Sequence, residues 1–371
     1  MDHDFKVVTM DKSILNRYLD LPMPKDMCLL EYIWVDGTGM RLRCKQMEVE
    51  KTPESPEDCP PWAVCGYGTD QADGEEEEMY LKPVRLYQDP FERANHKLVL
   101  CLAIHKSGNP AKANYRVQCK EAMEAAASEK PWFTFEQEYY IVDPETNKPL
   151  GWPRQGNAPT MGPSYCSIGA GKENGREIAR AHYRACRYAG IKLSGLNQEL
   201  AWGQWEYQCG ITEGIQAADD LWMSRYILER VAAEFGYKIS LDPKPIILEI
   251  NGMGLHCNFS TKSTRDERVG KFGLEIINQY IKKLEANHMA HLKVYDGNGG
   301  EDNKLRLSGI FIDTVKYDQF KSGVAARNVS IRIPKTTYQN GFGYLEDRRP
   351  ASNADPYLVC EAMVRTCVLG R

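Results

Sequence analysis

Trp132-Phe133-Thr134-Phe135-Glu136-Gln137-Glu138-Tyr139 is the stretch on which the fold turns. Residues two apart in a β-strand point to the same side of the sheet, so Glu136 and Glu138 put two carboxylates on one face. Among aromatic neighbours such a pair is costly unless a cation neutralises it. The plainer alternative is a solvated edge strand.

Other segments carry the same chemistry. Glu199 ends Asn197-Gln198-Glu199, and Glu206 lies between aromatics in Gln204-Trp205-Glu206-Tyr207, an odd place for an unpaired carboxylate. In Asn251-Gly252-Met253-Gly254-Leu255-His256 two glycines precede a histidine, which suggests backbone close to a ligand. A lone histidine is more often a satisfied core residue. Arg327, Arg332 and the run Glu346-Asp347-Arg348-Arg349-Pro350 form a cationic cluster that fits a clamp for phosphate or carboxylate. It equally fits a salt-bridge network between subunits. Five carboxylates (Glu136, Glu138, Glu199, Glu206, Glu346), one imidazole and several arginines make sense as one assembly. Hard oxygen ligands with a single histidine suit Mg²⁺ or Mn²⁺ and not zinc. Metals with arginines describe phosphoryl transfer, and without a G-x-x-x-x-G-K-[ST] loop a P-loop enzyme is excluded.

Outward from these motifs, the 371 residues allow two domains or one large one. Leu29 to Val35 reads as a strand, Asp36-Gly37-Thr38-Gly39 as a turn, and Arg41 to Cys44 as the returning arm of a hairpin. Lys97 to Ile104 reads as a strand buried on both faces. The proline-rich segment 52 to 77, ending in an acidic run, reads as an exposed loop. Beyond residue 110 long amphipathic helices alternate with strands at Glu138 to Val142 and Trp202 to Cys209. One helix runs from Gly175 to Ala189 with Ile178, His182, Ala185, Cys186 and Ala189 on its stripe. Asp219 is expected to cap a second, running through Leu221, Leu228, Val231 and Phe235. A third spans Val269 to Leu284, with Phe272, Ile276, Tyr280 and Leu284 on its face. The class is α+β, with a small β-rich domain over 1–108 and a larger catalytic domain over 109–371.

Composition narrows the partners. Lys and Arg total 47 against 51 Asp and Glu, a formal charge of −4 that gives no basic excess for nucleic acid. No apolar run approaches the roughly 18 residues of a membrane span, and the opening MDHDFKVVTM lacks the apolar core of a secretory signal. The 12 cysteines are scattered without a C-x-x-C pair and read as reduced, mostly buried thiols of a cytoplasmic protein.

The sequence resembles glutamine synthetase of the eukaryotic type from about Leu29 to its end. The matching motifs are Glu31 to Gly39, Phe135 to Tyr139, Gly151-Trp152-Pro153, Ala181 to Cys186, Asp242 to Pro245, Asn258 to Lys262 and Glu346 to Pro350. The resemblance implies a β-grasp-like N-terminal domain and a catalytic domain whose antiparallel sheet, flanked by helices, forms a funnel. It implies a homo-decamer of two pentameric rings with sites between subunits, and a role in nitrogen metabolism and glutamine biosynthesis. ATP would phosphorylate the γ-carboxylate of glutamate, and ammonia would displace the phosphate. Glu138, Glu199 and Glu206 would hold one divalent ion, and Glu136, His256 and Glu346 another. Asn251, Gly252, Arg306, Arg327 and Arg349 would contact glutamate. Arg332 and Arg348 would neutralise the transferred phosphoryl group, and Trp132, Ser260 and Tyr344 would line the nucleotide.

The departures converge on the acceptor site. The family latch Trp-Asn-Phe-Asp-Gly-Ser-Ser reads here Trp62-Ala63-Val64-Cys65-Gly66-Tyr67-Gly68, so Cys65 stands where the family aspartate binds ammonium. The flap His-Glu-Thr reads Phe311-Ile312-Asp313, with Asp313 one place beyond the missing glutamate. Leu305 replaces one arginine of a pair and Lys335 an arginine after Ile-Pro; of the ammonium-site groups Tyr165 and Glu199 persist. Losing two acids removes charge and a base from the pocket. An organic amine is therefore the expected acceptor. The alternatives are an ordinary glutamine synthetase, with Asp313, Cys65 or the acidic loop compensating, and a non-catalytic binding or regulatory subunit.

Overall fold

A computed structural model describes residues 13–72, 78–156, 162–245, 252–270, 272–310 and 314–370. The first sheet contains β1 (Cys28–Val35), β2 (Leu42–Val49), β3 (Trp62–Cys65), β4 (Glu78–Gln88) and β5 (Lys97–His105), in the order β2-β1-β5-β4-β3. β1 runs parallel to β5, and the other neighbours are antiparallel. The sheet curls until its two edges meet: Lys45 Nζ on β2 donates to the Ala63 carbonyl on β3 at 3.3 Å and lies over the Trp62 ring.

The second sheet is built on the stretch quoted first. β6 (Trp132–Asp143) is followed by β7 (Lys148–Pro149), β8 (Leu193–Gln198), β9 (Gln204–Glu213), β10 (Lys238–Ser240), β11 (Leu255–Ser260), β12 (Ser322–Val324), β13 (Ile331–Ile333) and β14 (Leu345–Asp347). Its main path is β12-β13-β14-β11-β6-β9-β8, with β7 and β10 also pairing with β6. Alternation sorts the two faces. Phe133, Phe135, Tyr139, Trp205, Tyr207, Leu255, Cys257 and Phe259 are buried on one side, against Ile178, Leu221, Trp222 and Leu228 of the helices. Each such side chain contributes about 1.5–3 kcal/mol over an exposed one. The opposite side carries the acids.

The structure is α+β, as the sequence implies. The main core also takes in Ile33, Tyr87, Leu98 and Leu100, so the first sheet shares it with the second. Polar ties reinforce the joint: Tyr226 Oη donates to buried Glu31 at 3.0 Å, and Tyr87 Oη to Asp220 at 2.9 Å. All 12 cysteines are free, with Cys44, Cys65 and Cys166 exposed and the others buried.

Three details differ from the sequence reading. The segment 52–72 is not simply an exposed loop: β3 pairs with β4, and buried Gln71 bridges the Trp34 indole and the Val35 carbonyl. Only a long-range pairing makes that short strand, so local pattern misses it; residues 73–77 lie outside the described set. Asp219 is no cap, because its helix begins at Gln216. The carboxylate is buried, accepting from Arg116 Nε and Nη2 at 2.8 Å each and from Tyr357 Oη at 2.6 Å. The third long helix is Phe272–Ala286 and buries Ile277, Tyr280, Ile281 and Leu284, leaving Phe272 exposed. Steps of four drift around a 3.6-residue helix, whereas spacings of three and four hold one face.

Asp219 therefore ties two helices and the C-terminal segment through one buried charge. Asp219→Ala would leave the half-buried Arg116 guanidinium without its acid and Tyr357 without its acceptor, at a cost of about 2–3 kcal/mol. Urea unfolding should show a correspondingly lower midpoint, while Asp219→Asn, which keeps an acceptor, should lose less.

Candidate functional site

Cross-strand register assembles the polar face. Glu136 on β6 sits opposite His256 on β11 and Gln208 on β9, and Glu138 sits opposite Glu206. Asn258 of β11 faces Glu346 of β14, which in turn faces Arg332 of β13. The result is a stripe from Glu206 through Glu138, Glu136, His256 and Glu346 to Arg332, drawn from five neighbouring strands. A ligand oxygen from Glu136, one from Glu206 and a ring nitrogen of His256 lie within 4.8 Å of one another. That trio cuts across the two ligand sets implied by the resemblance.

Each acid is held in place. His256 Nδ1 is 3.3 Å from Glu136 Oε2 and 3.5 Å from Glu346 Oε1. Asn258 Nδ2 donates to Glu136 Oε1 at 2.8 Å. Glu138 Oε2 accepts from the Gly254 amide at 2.9 Å and from Gln204 Nε2 at 3.2 Å. Gln208 Nε2 donates to Glu206. Glu199 follows β8, takes Asn197 Nδ2 at 3.0 Å, and donates its amide to the Gln204 carbonyl at 2.9 Å. Buried Glu346 pairs with Arg348 Nη1 at 2.7 Å and with the Arg332 guanidinium.

The electrostatics fit a divalent cation. Burial, then the charges of Glu136, Glu138 and Glu199, push the Glu206 carboxyl well above its usual range. Carboxylates crowded this way need a positive charge among them. Burial and then Arg348 drive His256 well below the ordinary imidazole value, which keeps it in the neutral form that can ligate. Oxygen donors with one imidazole are the set expected for Mg²⁺ or Mn²⁺.

The remaining candidates divide. The glycines before His256 make room for Arg306: a Cβ on Gly252 would meet its side chain at 2.7 Å, and one on Gly254 its Nη2 at 2.6 Å and His256 Nε2 at 2.9 Å. Arg306 is buried, anchored by the carbonyls of Arg348 (3.0 Å) and Arg349 (2.9 Å). Burial and then the neighbouring Cys166 and Glu199 raise the Tyr165 hydroxyl above its ordinary pKa, against the opposing charge of Arg327. At the other end Ser260 pairs in register with exposed Trp132, whose ring lies 3.6 Å beneath the Arg265 guanidinium. Exposed Tyr344 senses Glu136 and Glu346. Arg349 is not brought to the stripe. Its guanidinium is fully buried on Asp347 at 2.8 and 2.7 Å, beside His288 and His291. Cys65 is exposed at the end of β3, opposite Glu78. Asn251, Ile312 and Asp313 lie outside the described residues.

Sequence reasoning missed Asn258, Gln204, Gln208 and Arg265. The first three were findable, since each sits two residues from a named ligand on the same strand face; Arg265 sits in a short helix and carried no such signal.

Comparison with known proteins identifies the family. The family model described as glutamine synthetase, catalytic domain, matches residues 113–269. A glutamine synthetase of Panulirus argus is 47% identical over 359 residues, covering 97% of this chain and 98% of its own. One from Rattus norvegicus is 46% identical over 360 residues (97% and 95%), and glutamine synthetase 2 cytoplasmic of Drosophila melanogaster is 45% identical over 359 (97% and 96%).

The crowding around Glu206 makes a crossed prediction. With chelator present, Glu206→Gln should raise the thermal midpoint, because a neutral amide replaces a buried carboxyl crowded by neighbouring acids. With Mn²⁺ present the wild type should gain more stability than the variant, whose cation affinity should fall at least about tenfold. Differential scanning calorimetry with EDTA and with Mn²⁺ reads both signs.

Proposed function

Because the chain belongs to the glutamine synthetase family, we propose that it activates the γ-carboxylate of glutamate with ATP and transfers the acyl group to ammonia. The observation that carries this is the stripe of four glutamates and His256 ending at Arg332 and Arg348. Divalent cations, one held by Glu138, Glu199 and Glu206 and another by Glu136, His256 and Glu346, would neutralise the nucleotide phosphates.

The chain's own groups supply the rest. A glutamate carboxylate oxygen attacks the terminal phosphorus of ATP and ADP leaves. Arg332 and Arg348, already gathered on Glu346, sit where they can balance the charge of the transferred phosphoryl group. Trp132, Ser260 and Tyr344 line the nucleotide at one end. Arg306, Gly252 and Arg327 position glutamate, with Asn251 assigned by the resemblance alone. Arg349, pinned to Asp347, supports that clamp from behind. In the second step nitrogen attacks the acyl carbon, phosphate leaves, and Glu199 beside Tyr165 accepts the proton.

The relatives' shared name favours ammonia over the organic amine expected from the sequence. One observation keeps the amine as a second reading: Cys65, exposed on the latch strand, occupies the place of the ammonium-binding aspartate. We further place the protein in the cytoplasm, as one relative's name says of itself, and in stacked pentameric rings. In these rings β3 of one subunit would close over the Glu199 end of the next.

The test is turnover with Mg-ATP and glutamate, alone and with ammonium, methylamine or aniline, following phosphate and γ-glutamyl products. Ammonium should give glutamine, and Cys65→Asp should improve ammonium kcat/KM by about tenfold or more by restoring an acid. Product with amines but none with ammonium would overturn the ammonia reading. No phosphate release with any acceptor would overturn both.

A further inference from the structure

Two adjacent tyrosines in β6, Tyr139 and Tyr140, are fully buried, and neither hydroxyl has a hydrogen-bond partner among the described residues. A buried hydroxyl left unpaired costs about 1–3 kcal/mol, so each needs a reason. Alternation sends them to opposite faces. Tyr139 belongs to the main apolar core, with the Tyr207 ring 6.0 Å away. Tyr140 shares the face of Glu136 and Glu138 and packs apart from that core, with Ala201 and Met253.

The surroundings of Tyr140 are those of a ligand site. It stands opposite Gln204, whose side chain donates to Glu138 and whose carbonyl takes the Glu199 amide. A phenol hydroxyl buried here has one proton to donate, and the acids on its face are the acceptors within the same stripe. Its hydroxyl bonds neither carboxylate directly, and one bridging water would complete the contact.

We propose that Tyr140 is a positioning residue of this site, donating its hydroxyl proton to a water shared with Glu138 and Glu199 and thereby ordering the cation those carboxylates bind. The inference rests on reading Glu138 and Glu199 as cation ligands. Tyr139 is its internal control: the same residue type, equally buried and equally unpaired, but facing the core.

The experiment compares wild type, Tyr140→Phe and Tyr139→Phe as full-length protein, by calorimetric Mn²⁺ titration and by unfolding midpoint with chelator. Phenylalanine keeps both rings and their packing. Without cation, Tyr139→Phe should match or exceed the wild-type midpoint, because an unpaired buried hydroxyl is gone, and Tyr140→Phe, which loses only a bond to water, should stay close to it. With cation they should part: Tyr140→Phe should bind Mn²⁺ about tenfold more weakly, the size typical of groups supporting metal ligands, and Tyr139→Phe should bind it like wild type. If Tyr140→Phe and wild type bind Mn²⁺ equally, the inference falls and the cation site stands. If wild type itself takes no Mn²⁺, both fall.

Discussion

The pairing register of β6 with β9 and β11 is the constraint on which the rest depends. Because the side-chain period in a strand is two, a slip of one residue would turn Glu136 and Glu138 into the core and bring Phe135 and Tyr139 out. The apolar face guards against that slip. Phe133, Phe135 and Tyr139 each bury against aromatic neighbours, and Phe133 alone meets Phe135 and Phe259 with ring centroids 6.4 and 5.2 Å away. Gln137 is the one polar member of that buried row. Its Oε1 accepts from Arg225 Nε at 2.9 Å, and its Nε2 donates to the Ser352 carbonyl at 3.0 Å. Arg225 donates to Ser352 and Ala354 as well, so β6 is locked in register to a helix and to the segment after β14. Packing on one face thus aligns charge on the other.

β14 repeats the device with charged residues on both faces. Glu346 turns to the stripe with Arg348, while Asp347 turns to the rear with Arg349, His288, His291 and Tyr295. A run of four charged residues that looks like one cationic patch is therefore two ion-pair systems back to back. The rear system is closed, since both guanidinium nitrogens of Arg349 that face Asp347 are bound to it. The front system is open, because Arg332 and Arg348 share a single carboxylate. Two cations on one anion leave positive charge toward the site, where phosphate oxygens would complete it.

Much of this was legible in the sequence because it is periodic. The β6 alternation, the apolar run of β5 and the stripe of Arg176–Ala189 follow from spacing alone, and the metal-ligand candidates fall on one face for the same reason. What stayed hidden depends on distant partners. β3 is four residues long and exists because β4 accepts it. Asp219 looks like a cap until Arg116 and Tyr357 are seen to converge on it. Arg349 looks like Arg348 until the strand parity separates them. Glycine signalled closeness at 252 and 254, but the group that comes close is Arg306 of the chain itself.

The acceptor question follows from the same geometry. Cys65 belongs to the first sheet and the Glu199 end to the second, and no described contact within the chain joins them. A change at position 65 can then leave the stripe, its register and its arginines untouched. On the proposed function, activation of a carboxylate would draw on charge balance at Glu346 and on the cation ligands, and both belong to the second sheet. On the same proposal, choice of the nitrogen would fall to what closes over Glu199. A change of acceptor and a loss of efficiency with ammonia are therefore both available to this chain without refolding its core, and a latch residue on a separate sheet is where either would arise.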